Sequence, residues 1–191
     1  MTLVSSVGSR LSIVVTAPLT GCGQPAPIGA VANVLPRRYV RISAKTDYAI
    51  RATLELAATG DGRPVKGETL ASAQQLPLRF LENILTQLRH AGLVESRRGA
   101  EGGYRLARPG SEITLADVIR AIDGPLAGVS GARPETLDFD GVAAPMRDIW
   151  IAVRAALREV LEGVSLADVV AGELPEHVQK LLAVQDAWVA H

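Results

Sequence analysis

The sequence predicts a mainly α fold with one small β-hairpin: a winged helix-turn-helix followed by a long dimerisation helix. Three observations carry this expectation. Three helical patterns and then two short apolar runs follow one another between Arg41 and Pro109. A long apolar stripe at three-four spacing runs from Met146 to Leu161. The chain is 48% hydrophobic but only 4% aromatic, so its core must be built from Leu, Val, Ile and Ala, which suits packed helices.

Ser43 to Thr59 is the first helix, with Ser43 as N-cap and Ile50, Leu54, Ala57 and Ala58 as its apolar stripe. Gly60, Asp61 and Gly62 stop it. A short helix follows at Glu68–Gln75, with Leu70 and Ala73 inward. Pro77 opens the third helix, in the first turn where proline is tolerated. Leu78, Leu81, Ile84, Leu85 and Leu88 stripe it as far as His90, and Gly92 ends it. Leu93–Ser96 and Tyr104–Ala107 read as strands, joined as a hairpin by the glycine-rich, charged link Arg97–Gly103. A fourth helix spans Thr114–Ile122 and ends at Asp123-Gly124-Pro125. Residues 124–145, rich in Gly, Ala and Pro, read as a loop. The long helix comes next, then short helices at Leu166–Ala171 and Glu176–Trp188.

Two helices joined by a tight turn can lay the second in the major groove of a duplex. The apolar stripe of the third helix must face the core, so its opposite face presents Arg79, Glu82, Asn83 and Thr86. Arg can grip guanine, Asn adenine, and Glu can accept from the cytosine amine. Arg97 and Arg98 at the base of the hairpin point cations at the backbone or minor groove, and its glycines permit close approach. A solvated polar face and solvent-exposed loop arginines are the bland readings of the same residues. The helix-helix-helix-hairpin order favours DNA, because the parts fit one docking geometry. The long helix also has two readings. Met146, Ile149, Trp150, Val153, Leu157 and Val160 are either intrachain core or the seam of a dimer. The stripe is broader than one small domain needs, which favours the seam; Trp150 packs there or lines a small pocket.

Charge is zero in total and uneven along the chain. Residues 1–40 hold three Arg and no acid, +3; residues 41–110 hold eleven Lys/Arg against seven Asp/Glu, +4; residues 111–191 hold six against thirteen, −7. A polyanion, if there is one, meets the middle. With one cysteine, Cys22, and three histidines, His90, His177 and His191, neither an internal disulfide nor a zinc-type ligand cluster can be assembled. No Ser/His/Asp grouping, phosphate loop or metal pair is visible, so an enzyme is not expected. Without a run of about 18 apolar residues there is no transmembrane helix, and a cytoplasmic location fits best. Residues 1–39 lack sustained periodicity and allow three readings: a lipoprotein-type signal ending at Leu19-Thr20-Gly21-Cys22, a flexible tail, or a stretch that is not translated. The last is the expectation, with the native chain starting as Met at position 40; its intact mass decides this. The chain then divides into that extension, a DNA-binding region at residues 40–110, and a helical dimerisation and sensing region at residues 111–191.

Val40-Arg-Ile-Ser-Ala-Lys-Thr-Asp-Tyr-Ala-Ile-Arg-Ala resembles the opening of Rrf2-family transcription regulators. Pro77-Leu-Arg-Phe-Leu-Glu-Asn-Ile-Leu-Thr-Gln-Leu-Arg-His resembles their recognition helix. Arg98-Gly-Ala-Glu-Gly-Gly-Tyr-Arg-Leu-Ala-Arg resembles their wing, the most specific part, and Thr114-Leu-Ala-Asp-Val-Ile-Arg-Ala-Ile-Asp-Gly the segment after it. The resemblance covers roughly residues 40–162. It implies a homodimer on a palindromic operator, acting as a repressor or activator, the repressor being preferred. By the same resemblance Glu82, Arg98 and Gly99 sit where relatives touch bases or the minor groove, and Lys45 and Tyr48 sit near the DNA backbone.

One departure bears on cofactors. Many Rrf2-type regulators hold an iron–sulfur cluster on three cysteines in the loop before the long helix. Here that loop, residues 124–145, has no cysteine, and thiolates are the normal ligands. Asp47, at a place where some relatives use an acidic ligand, is then a helix N-terminal charge. No cluster and no other cofactor is expected, and the signal sensed is not visible. The alternative function is a winged-helix module that binds, and is regulated by, a partner protein.

Overall fold

A computed structural model describes residues 42–60, 62–99 and 101–189. The expectations for residues 1–39, for Cys22 and for a start at Val40 lie outside the described residues.

Helix α1 spans Ala44–Ala58, α2 Gly67–Ala73 and α3 Leu78–His90. Strands β1, Val94–Arg97, and β2, Gly103–Leu106, form an antiparallel hairpin. Then come α4, Leu115–Asp123; α5, Met146–Glu162; α6, Leu166–Ala171; and α7, Glu176–Leu182. This mainly helical chain with one hairpin is the expected winged helix-turn-helix with a long helix after it.

Helix α1 is the hub, packing on α3, α4 and α6. Ser43 caps it, its Oγ accepting from the Thr46 N–H at 3.1 Å. The expected stripe on α1 is out of phase. Its fully buried residues are Thr46, Ala49, Ala52, Thr53 and Leu56; Ile50, Leu54 and Ala57 are half-buried and Ala58 is exposed. A helix covered on several sides selects small residues where neighbours come close, and Thr serves if its hydroxyl is bonded. Thr53 Oγ1 donates to the Ala49 and Ile50 carbonyls at 3.0 and 2.8 Å, and Thr46 Oγ1 donates to Asp123 at 2.6 Å. On α2 it is Ala71, with Leu70, that is buried, and Ala73 is exposed.

Helix α3 is as expected on its inner face: Leu81, Ile84, Leu85 and Leu88 are buried. Pro77 lies just before the helix rather than in its first turn. The strands are shifted by one residue, which brings Arg97 and Gly103 into the ladder as its last pair. Val65, between α1 and α2, adds a bridge to Tyr104 through N–H···O bonds of 2.8 Å in both directions. The hairpin is thereby fastened to the helical body.

The chain after the wing returns to the same core. Ile113, Val118 and Leu166 join Leu56, Leu81 and Leu88 in one buried cluster. Ile113–Leu115 and Val164–Leu166 lie antiparallel: Leu115 N–H donates to the Val164 carbonyl at 3.0 Å, and Leu166 N–H to Ile113 at 2.9 Å. Residues 124–145 contain two 3-10 turns, Pro134–Thr136 and Gly141–Ala143. The final expected helix ends at Leu182, and Gln185–Trp188 forms a separate 3-10 turn. None of α5's residues is buried.

Candidate nucleic-acid interface

The amphipathic pattern of α3 fixes what it shows to solvent. With Leu81, Ile84, Leu85 and Leu88 inward, Arg79, Glu82, Asn83 and Thr86 are all exposed on the opposite side. Arg79 forms no ion pair among the described residues, so its guanidinium is available to an external acceptor. Thr86 Oγ1 donates back to the Glu82 carbonyl at 2.9 Å, which leaves its lone pairs outward.

Asn83 is held by a relay that the sequence did not announce. Gln87 Nε2 donates to Asn83 Oδ1 at 2.7 Å, and Lys45 Nζ donates to Gln87 Oε1 at 2.7 Å. The Asn83 oxygen is engaged, so its amide N–H groups are the free donors. Lys45 therefore stands at the base of this exposed face, tying α1 to α3. The i,i+4 spacing of Asn83 and Gln87 was the available signal for this pair.

Tyr48 is half-buried rather than open. Its ring meets Phe80 edge-on, with centroids 5.7 Å apart and planes at 89°, and Arg51 lies over its face at 5.6 Å. Phe80 keeps 41% of its surface exposed beside the start of α3. Asp47, in the first turn of α1, pairs with Arg51 at 3.2 Å.

In the wing, Arg97 and Arg98 are exposed and make no ion pair among the described residues. Glu95 and Arg105 face each other across the strands and pair at 2.8 Å, so this acid is neutralised. Gly99 has φ 108°, a region closed to most side chains, and its carbonyl accepts from the Gly102 N–H at 2.9 Å. A Cβ on Gly102 would collide with the Arg97 carbonyl oxygen, and one on Gly103 would lie 2.5 Å from that of Val65. The glycines are there because the backbone folds back on itself. The structure thus presents the α3 face and the Arg97–Gly99 tip as two exposed, hydrogen-bonding surfaces on a rigid frame.

The family model Rrf2, described as an iron-dependent transcriptional regulator, matches residues 42–172. The chain belongs to the Rrf2 family. As an Rrf2 protein it is a DNA-binding transcriptional regulator and not an enzyme. A Mycobacterium tuberculosis (strain H37Rv) protein, named among the HTH-type transcriptional regulators, is 52% identical over 142 residues, covering 74% of this chain and 88% of that one. CymR of Bacillus subtilis, also named an HTH-type transcriptional regulator, is 36% identical over 129 residues, covering 68% of this chain and 88% of its own length. The solved structure of CymR, the global cysteine regulator of B. subtilis, covers 70% of this chain and 98% of its own at TM-score 0.61 and 35% identity. That of T. potens IscR covers 80% and 93% at TM-score 0.56 and 32% identity.

The iron of the Rrf2 description can be tested against the donors present. The described residues include no cysteine, because Cys22 is the only one in the chain. Nor do they bring together three His, Cys, Asp or Glu in a group that could hold a metal ion. These residues do not fit a thiolate-held cluster. No described helix is long and apolar enough to cross a membrane.

Proposed function

We propose that this Rrf2 regulator binds a palindromic operator as a homodimer, preferentially as a repressor, and does so without an iron–sulfur cluster. The α3 face of Arg79, Glu82, Asn83 and Thr86 reads base edges in the major groove. Arg97, Arg98 and Gly99 of the wing engage the backbone or the adjacent minor groove. Lys45 and Tyr48 lie close to a phosphate strand. Residues 40–110 form the DNA-binding part and residues 111–191 the dimerisation and sensing part, with Met146, Ile149, Trp150, Val153, Leu157 and Val160 at the seam between protomers. Such a regulator works in the cytoplasm, where its DNA is.

The observation that carries this reading is the pairing of an exposed polar face on α3 with unpaired wing arginines. Selection of bound duplexes from a random pool, followed by anisotropy titrations over a range of salt, tests it. Phosphate neutralisation predicts a steep fall of affinity with salt. Arg98→Ala is expected to weaken all sequences alike, whereas Arg79→Ala or Glu82→Ala changes the preferred base at one position, by about 1–3 kcal/mol per lost base contact. Affinity for DNA that is indifferent to all three substitutions would sink the assignment and favour a protein-binding module. A stoichiometric iron content in anaerobically purified protein would refute the cluster-free reading.

A further inference from the structure

Where α4, the loop after it and α5 meet, the structure forms a solvent-open cavity of about 410 Å³, and four of its lining residues are arginines. Arg120 comes from α4, Arg133 from the loop, and Arg154 and Arg158 from α5. Glu135 is the acid in the lining. Glu162, just outside it, holds Arg158 at 2.9 Å and also pairs with Arg120. Arg154 pairs with Glu135. Asp117 also pairs with Arg120, at 3.8 Å, so four positive charges meet three negative ones, in a segment of the chain whose net charge is otherwise acidic.

We propose that this cavity is an effector site for a small organic or inorganic polyanion, one carrying two or more carboxylate or phosphate groups. The volume is that of a small-ligand site. Arg presents five N–H donors in a planar fork that matches carboxylate and phosphate oxygens, and a single carboxylate partner leaves several of them open. The two glutamates hold the forks in place before a ligand arrives. Both are kept ionised, Glu162 below its ordinary range by Arg158 first and then Arg120, and Glu135 by its own backbone N–H and then Arg154. The cavity floor is apolar: Leu126 is buried against α4, and Pro125 follows the turn at Gly124, where φ is 86°. None of these groups belongs to the α3 face or the wing.

The location gives such a ligand leverage. Helix α5 buries no residue fully, so polar ties to α4 and to the loop do much to set its pose. A polyanion that bridges Arg133 to Arg154 and Arg158 would tighten or re-aim that pose, and with it the spacing of two reading heads. This effector role rests on the DNA-binding reading; ligand binding does not.

Calorimetry on the full chain at fixed ionic strength, with citrate and pyrophosphate as probes, tests the site. One probe ion per chain is expected. Binding of citrate alone marks a carboxylate ligand, of pyrophosphate alone a phosphate ligand, and either supports the site. Arg133→Ala and Arg154→Gln should each weaken it at least tenfold, while Arg98→Ala leaves it unchanged. Arg133 is exposed and forms no ion pair among the described residues, so Arg133→Ala remains informative if Arg154→Gln fails to fold. No binding of either probe, or equal binding by Arg133→Ala, overturns the proposal. So does loss in Arg98→Ala in place of Arg133→Ala, which moves the anion to the wing. A selected operator bound equally well with and without saturating probe overturns the effector role.

Discussion

Gly103 shows how one residue connects the hairpin to the helical body. Its backbone passes so close to Val65 that a methyl group has no room. Gly103→Ala should cost about 1–3 kcal/mol of stability through overpacking. It should also speed amide exchange at Val65 and Tyr104, whose mutual bonds hold the strand against the body. Unchanged exchange at both amides would contradict this account. The glycine pair was legible as a turn signal, but the need for it was not, because Val65 lies 38 positions away along the chain (103 less 65). The same limit hid the Lys45–Gln87–Asn83 relay and the arginine cavity. Arg120, Arg133, Arg154 and Arg158 come from three separate segments, and only the fold makes them neighbours.

Among the elements, α3 was the most legible, since a one-sided helix advertises its inner face by leucine spacing. Helix α1 was legible in extent but not in phase, because close packing on several sides replaces large apolar residues with Ala and bonded Thr. Two helices on the far side are started by the same device. Thr114 and Asp117 form a capping box before α4, and Ser165 and Asp168 form one before α6. Thr114→Ala is expected to lower stability by about 1 kcal/mol, read from denaturant midpoints at constant slope. Asp168 adds a pH dependence. Hydrogen bonds from the Ser165 side chain and then its backbone hold its carboxyl below the ordinary value of 3.8. A depressed folded value means stabilisation that is present above the unfolded value and lost as pH falls through the folded one. The melting temperatures of the wild-type protein and Asp168→Asn should therefore differ at pH 6, and the gap should shrink as pH falls below 3.8 and close only below the depressed folded value. A gap that stays constant to pH 3 would exclude this role.

At the scale of the whole molecule, α5 is the feature a single chain does not explain. Ile149 and Val153 are 49% and 40% exposed, and Met146, Trp150, Leu157 and Val160 are only half-buried by the described residues. Exposed apolar stripes of this kind mark association surfaces. Charging the proposed seam with Ile149→Glu and Val153→Glu together is expected to give a monomer by sedimentation. It should weaken operator binding more than tenfold, because one reading head then works alone. A double variant that remains dimeric would return the stripe to some other use. The stripe itself was plain in the sequence; its exposure was not, since periodicity reports that a face is apolar without saying what lies against it.

The stitch between Val65 and Tyr104 also bears on how quickly a duplex is recognised. A hairpin tied to its body by main-chain bonds loses its freedom during folding, before any encounter. On the proposed reading, a duplex that meets the helix-turn-helix and wing finds both already set at a fixed angle. Association at low salt should approach the rate of charge-steered diffusion, with no slower step in which the tip searches for its place. Differences in operator strength would accordingly be written in how long each complex lasts.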